Sequence, residues 1–142
     1  MGEALAQARL AEQAGEVPVG AIVTREGAVV AVGHNRPRAT QDPTAHAEIV
    51  AIRAACNALG QDRLGDCDLW VSLEPCAMCA GAIAHARIRR LYYAASDPKG
   101  GAIEHGPKLF DQATILHRPE IYSGLCEEEA AQLLKGFFAH RR

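Results

Sequence analysis

Two short segments of this chain hold residues whose types and spacing could do chemistry: Pro43-Thr44-Ala45-His46-Ala47-Glu48 and Leu73-Glu74-Pro75-Cys76-Ala77-Met78-Cys79. Cys76 and Cys79 are three apart where a helix should begin, which puts both side chains on one helix face. With His46 they make three ligands for one tetrahedral zinc ion. A structural zinc site is usually closed by a fourth protein ligand, whereas a catalytic one leaves that place to water. Two thiolates offset the metal's charge, so its water would be acidified less than at an all-histidine site, and a nearby base would help. Glu48 can be that base. Residues two apart do not share a helix face, so His46 and Glu48 converge only if a helix has just begun there. Both helix starts would then aim their positive dipole ends at the metal, lowering the thiolate pKa values.

Such a site suits hydrolysis at an amidine carbon: zinc-activated water attacks, Glu48 takes the water's proton and delivers it to the ring nitrogen, then protonates the departing amine. H-x-E followed by P-C-x-x-C is the known signature of zinc-dependent base deaminases. A lone C-x-x-C is weak; the two segments together, each at an expected helix start, are specific. The competing reading is a structural zinc closed by His34, His85, His117, Cys56, Cys67 or Cys126. None of these has the local pairing usual for such sites. Cys56 reads as core, Cys67 as a turn residue before a strand, Cys126 as the start of a helix and His85 as helix surface.

The elements that must position these groups follow from pattern. Ala4, Leu5, Ala8 and Ala11 recur at helical spacing, and Gly15 can end that helix. Val17 to Thr24 and Ala28 to Val32, rich in β-branched residues and split by Arg25-Glu26-Gly27, read as a hairpin. His34 to Thr44, broken by Pro37 and Pro43, reads as loop. Ala45 to Leu59 reads as a helix capped by Asp42 or Thr44, with Gly60 near its end. Asp68 to Leu73 is a short buried strand, and Pro75 suits the first turn of a helix running to about Ala86. Arg90 to Ala95 is a strand, Asp97 to Gly106 a loop, and the stretch through Pro119 ambiguous. Glu120 to Ser123 reads as a last strand. Cys126 to about His140 reads as a helix with Glu127, Glu128 and Glu129 in its first turn and basic residues at its end, matching the helix dipole. Strands alternating with helices indicate a layered α/β fold.

Bulk properties set outer limits. The chain has 142 residues, nearly half of them hydrophobic, and a formal charge of −2. That is the size of one domain, 1–142, able to build a core without staples. Any phosphate binding must come from a local basic patch, since net charge does not favour it. Five cysteines, an odd count with a C-x-x-C pair, argue against a secreted disulfide scaffold. The N-terminus does not read as a signal peptide, the residue at position 6 breaks the myristoylation pattern, and no apolar run suggests a membrane span. A cytoplasmic protein with no membrane association is expected.

Beyond the two segments, the chain resembles the bacterial tRNA-specific adenosine deaminases of the cytidine deaminase superfamily. The similarity covers nearly its whole length: Glu16 to Gly20, Asn35-Arg36-Pro37, Asp42 to Ile49, Leu73 to Ile83, Asp97 to Ala102, and Phe137-Phe138-x-x-Arg141-Arg142. The resemblance implies a three-layer α/β/α fold with a mixed, five-stranded sheet, a homodimer, one Zn²⁺ per subunit, and conversion of adenosine to inosine at the wobble position of a tRNA anticodon. It implies that Asn35 and the Ala47 backbone hold the base, that Asp97 and Lys99 lie by flanking nucleotides, and that Phe137, Phe138, Arg141 and Arg142 touch the anticodon stem-loop. Gly100 departs from the Thr common in the family's D-x-K-T-G, and should loosen that loop. The helical extension some members carry beyond the position of Arg142 is missing, so no contacts from it are expected. One of the two phenylalanines should face the core and the other solvent. Arg87, Arg89 and Arg90 could form a phosphate patch or a solvated strand entry. Two rivals share these residues: a deaminase of free guanine, cytosine or a nucleoside, and a non-catalytic zinc module that binds RNA.

Overall fold

The computed structural model describes residues 1–141; Arg142, expected to contact the stem-loop, lies outside them. The elements run α1 (Gly2–Gln13), β1 (Gly20–Arg25), β2 (Ala28–His34), α2 (Pro37–Thr40), α3 (Ala47–Leu59), β3 (Cys67–Leu73), α4 (Ala77–Ala86), β4 (Arg90–Ala95), a 3₁₀ turn at Leu109–Asp111, β5 (Glu120–Ser123) and α5 (Glu127–Ala139). The five strands form one sheet in the order β2-β1-β3-β4-β5. β1 runs antiparallel to β2 and β3, while β4 runs parallel to β3 and β5, so the sheet is mixed as expected.

Glycine and alanine set how closely the helices lie on this sheet. A Cβ on Gly20 would fall 2.1 Å from the Ala4 carbonyl oxygen of α1, and one on Gly33 would fall 2.6 Å from the Ala47 carbonyl of α3. Gly33 pairs with Ala21, next in β1 to Gly20, so the two glycines face opposite sides of the sheet. α1 therefore packs on one face, joined by α5, and α3 packs on the other, joined by α4. This is the three-layer arrangement. Leu69, Val71, Ile83, Ile88 and Leu91 are fully buried in the main core, each such side chain contributing about 1.5–3 kcal/mol.

The α1 face carries a second apolar feature. Ile22, on the same side as Gly20, pairs with Trp70, which pairs with Tyr92 and through it Tyr122. The Trp70 and Tyr92 rings stack with centroids 3.8 Å apart, and Tyr92 stacks on Tyr122 at 5.1 Å. The indole nitrogen donates to the Thr24 hydroxyl at 3.0 Å.

Some sequence expectations are corrected. The 34–44 segment is not all loop, because Pro37 at the first turn starts the one-turn α2 and the buried Glu16 carboxylate accepts from the backbone N–H groups of Arg38 and Ala39. Neither Asp42 nor Thr44 caps α3; Asp42 closes a tight turn by accepting from the Thr44 N–H and hydroxyl, and the N-cap is His46. Pro75 lies before α4 rather than in its first turn, the N-cap being Cys76. α5 holds no basic residue in its last turn; its dipole is matched only at the start, by Glu127, Glu128 and Glu129.

Candidate active site

Two helix starts build the site. His46 and Cys76 are the N-caps of α3 and α4, both in extended backbone, so Glu48 and Cys79 fall in the first turns. That placement resolves the spacing problem of His46 and Glu48, since an N-cap residue is not yet bound to helical geometry. The start of α3 is itself tied by Asn35, whose Oδ1 accepts from the Ala47 N–H at 2.8 Å. The Ala47 N–H is thus engaged by Asn35.

His46 Nδ1 lies 3.6 Å from the Sγ of Cys76 and 3.6 Å from the Sγ of Cys79. The three ligand atoms all lie within 4.8 Å of one another, and no other His, Cys, Asp or Glu joins the set among the described residues. A tetrahedral zinc with ordinary Zn–S and Zn–N bond lengths separates its nitrogen and sulfur ligands by about 3.5 Å. The donor set therefore fits zinc in type, number and spacing. The other fourth-ligand candidates are placed elsewhere. His34 Nδ1 meets Gln7, His117 Nε2 meets the Ile88 carbonyl, Cys126 is exposed at the start of α5, Cys67 is buried in β3, Cys56 packs partly buried on the core and His85 is on the surface of α4.

Electrostatics follow from burial and from these contacts. A hydrogen bond from Cys79 and another from His46 hold the Cys76 thiol down to about 4, while donation to Cys76, with burial, pushes Cys79 up. The Cys76 contact raises His46, against the opposing effect of burial. Glu48 is 4% exposed; burial pushes its carboxyl up to about 7, in contact with Cys79. A carboxyl poised near neutrality is suited to taking and returning one proton.

A residue the sequence reading passed over completes the surroundings. Glu74 directly follows β3 and is 2% exposed. Its Oε1 accepts from the Asp97 N–H at 2.9 Å and meets His105 Nδ1 at 2.8 Å. Its Oε2 accepts from three successive backbone N–H groups, Ile103, Glu104 and His105, at 3.0, 2.9 and 3.2 Å. Burial alone would raise its pKa, but the bonds from Asp97, His105, Ile103 and Glu104 outweigh it and hold the carboxyl below its usual value. The only sequence signal was a charged residue where a buried strand ends, directly before Pro75-Cys76.

The expected RNA-contact residues are more dispersed. Asp97 Oδ1 accepts from the N–H groups of Lys99 and Gly100, so this loop is bound to itself. Gly100 needs no left-handed backbone, and its N–H is held by that bond. Phe137 is 5% and Phe138 49% exposed, as expected of a core-facing and a solvent-facing pair. The Arg141 guanidinium sits 3.7 Å from the Phe137 ring centroid. The arginine run at the β4 entry is engaged within the chain: Arg89 bonds Asp68 through two nitrogens, Arg90 bonds Glu120, and Arg87 donates to the Ala84 carbonyl. That favours a paired strand entry over a phosphate patch.

A mixed sheet with three zinc-type ligands and a buried glutamate at two helix starts is the architecture of a base deaminase. The model of the family described as MafB19-like deaminase matches residues 1–142. A tRNA-specific adenosine deaminase of Agrobacterium fabrum is 56% identical over 139 residues, covering 98% of this chain and 91% of that one. A solved structure from a study of A-to-I editing by tRNA A34 deaminases at the wobble position superposes with a TM-score of 0.91 at 57% identity, covering 92% of this chain and 95% of that one. A guanine deaminase from Nitrosomonas europaea superposes with a TM-score of 0.80 at 26% identity, covering 97% of this chain and 82% of that one. The chain belongs to the tRNA-specific adenosine deaminase family of this deaminase fold.

Proposed function

We propose that this chain hydrolytically deaminates adenosine to inosine at the wobble position of a tRNA anticodon, with His46, Cys76 and Cys79 as zinc ligands and Glu48 as the proton carrier. The observation that carries this reading is the trio of ligand atoms at two helix starts with a buried carboxylate beside it. When bound, zinc supplies a Lewis acid that makes water a nucleophile at neutral pH. Glu48 accepts one proton of the attacking water and hands it to the ring nitrogen of the adenine, then takes the second from the hydroxyl on the attacked carbon and gives it to the amine, which leaves as ammonia as the carbonyl forms. Its burial excludes bulk water from these transfers. Asn35, whose Oδ1 binds the start of α3, and the Ala47 backbone hold the base in this reading, while Asp97 and Lys99 meet the neighbouring nucleotides. The exposed Phe138 and Arg141 offer the stem-loop an aromatic and cationic surface.

A wobble adenosine lies in a loop where stacking is already weak, so extruding it costs only a few kcal/mol. A cytoplasmic setting and a homodimer belong to the same reading, by likeness to the family; no helix among the described residues is long and apolar enough to cross a membrane. The test incubates zinc-loaded protein with an anticodon stem-loop carrying adenosine at the wobble position, and reads inosine by mass. Guanine, cytosine and free adenosine are run alongside, because the fold likeness extends to a guanine deaminase. Inosine in the stem-loop with the free bases unchanged is the expected result; turnover of guanine alone overturns it.

A further inference from the structure

We infer that Glu74 is a positioning residue for the deamination proposed above: its buried carboxylate pins the 97–105 loop to the turn that carries Cys76, so that the loop meets RNA already shaped. The inference rests on that functional reading.

The geometry of the pin is specific. One carboxylate accepts from four backbone N–H groups and meets the His105 ring, and its acceptors are spent on both ends of the loop, Asp97 at the start and Ile103 to His105 at the finish. Three successive amides on one oxygen form an anion cradle of the kind backbone builds at phosphate sites, here filled by the protein's own side chain. The loop is shaped around it. A Cβ on Gly101 would fall 2.4 Å from the Glu74 carboxyl carbon and 2.5 Å from the Asp97 carbonyl oxygen. Glycine is therefore needed for the carboxylate to enter. Further bonds join the same pieces: Ala102 N–H donates to the Pro75 carbonyl, one residue from Cys76, and Gly101 N–H to the Asp97 carbonyl. Asp97 is the first pinned end and Lys99 stands between the two, with Asp97 turning the chain back on Lys99 and Gly100. Ordering such a loop before binding spares the ordering cost at the moment of binding. A loose loop would accordingly weaken RNA capture more than it slows the chemistry.

The experiment uses zinc-loaded protein, wild type beside Glu74→Gln, His105→Ala and Gly101→Ala, with amide hydrogen exchange and steady-state kinetics on the anticodon stem-loop. His105→Ala removes one anchor far along the chain from the ligands, so it stands if Glu74→Gln or Gly101→Ala fails to fold. Expected are faster exchange at the amides of Ile103, Glu104 and His105, unchanged exchange in α3 and α4, and a KM raised about tenfold with kcat kept within about threefold. Unmoved loop exchange overturns the pin. Faster exchange with unchanged KM, or a fall confined to kcat, overturns the positioning role. A wild-type protein that makes no inosine points instead to a failure of the functional reading.

Discussion

The corner of the molecule at the starts of α3 and α4 and the edge formed by β5 and α5 are built to opposite rules. At the corner, Glu48, Glu74 and Cys79 are buried, and their polar atoms are held by neighbours or by each other. At the edge, all four residues of β5 are exposed, and α5 buries only Ala130 and Phe137. Proton transfer needs fixed, desolvated groups that cost no reorganisation in the transition state. Recognition of a polyanionic loop needs the reverse, aromatic faces and cations left in solvent. Substitutions of Glu48 and of the metal-ligand residues at the corner should therefore act on kcat, and those at the edge on KM.

The sharpest way to break this contrast is Glu48→Gln. Turnover should fall by about 10²–10⁴, the usual contribution of a positioned acid–base group, with zinc content unchanged by metal analysis. Loss of zinc together with activity would make Glu48 a structural member of the site. Second in size is acid. His46 and Cys79 both hold their protons to higher pH than usual in the metal-free chain, through the Cys76 contact in each case. Zinc must displace those protons, so its affinity should rise with pH and fall on acidification. A chelator competition across the pH range checks the sign; an affinity that strengthens in acid refutes the ligand set.

Gly33→Ala comes next. Its Cβ would press on the backbone of Ala47 and Ala51 under α3, at a cost of about 1–3 kcal/mol in stability. Denaturant unfolding should register this, and an unchanged midpoint would mean that α3 can shift outward freely. Smallest is the edge itself. Phe138→Ala should raise KM for the stem-loop by the worth of one stacking contact, about 1–3 kcal/mol, with kcat unmoved. A fall in kcat at constant KM would erase the distinction between the two regions.

These differences track what the sequence made legible. His46, Glu48, Cys76 and Cys79 could be read because the ligand geometry is local: each pair sits at one helix start, and short spacing decides where the side chains point. β4 and β5 were read at their true bounds. The caps were misread because the bond to the start of α3 comes from Asn35, twelve residues upstream. α2 was missed because a buried carboxylate, Glu16, reaches it from more than twenty residues away. Glu74 was invisible for the same reason, since its partners lie between Asp97 and His105. Buried glutamates that bind backbone across the fold leave no periodicity to detect.

The stack of Trp70, Tyr92 and Tyr122 has a practical consequence. Trp70 is the chain's single tryptophan, and it lies on the α1 side of the sheet, away from the face that packs α3 and α4. Its emission is thus an internal gauge of whether β1, β3, β4 and β5 are aligned, blind in first order to events at the metal corner. Loading or stripping zinc should leave that light nearly constant while the sheet stays intact, and unfolding should change it as the rings part.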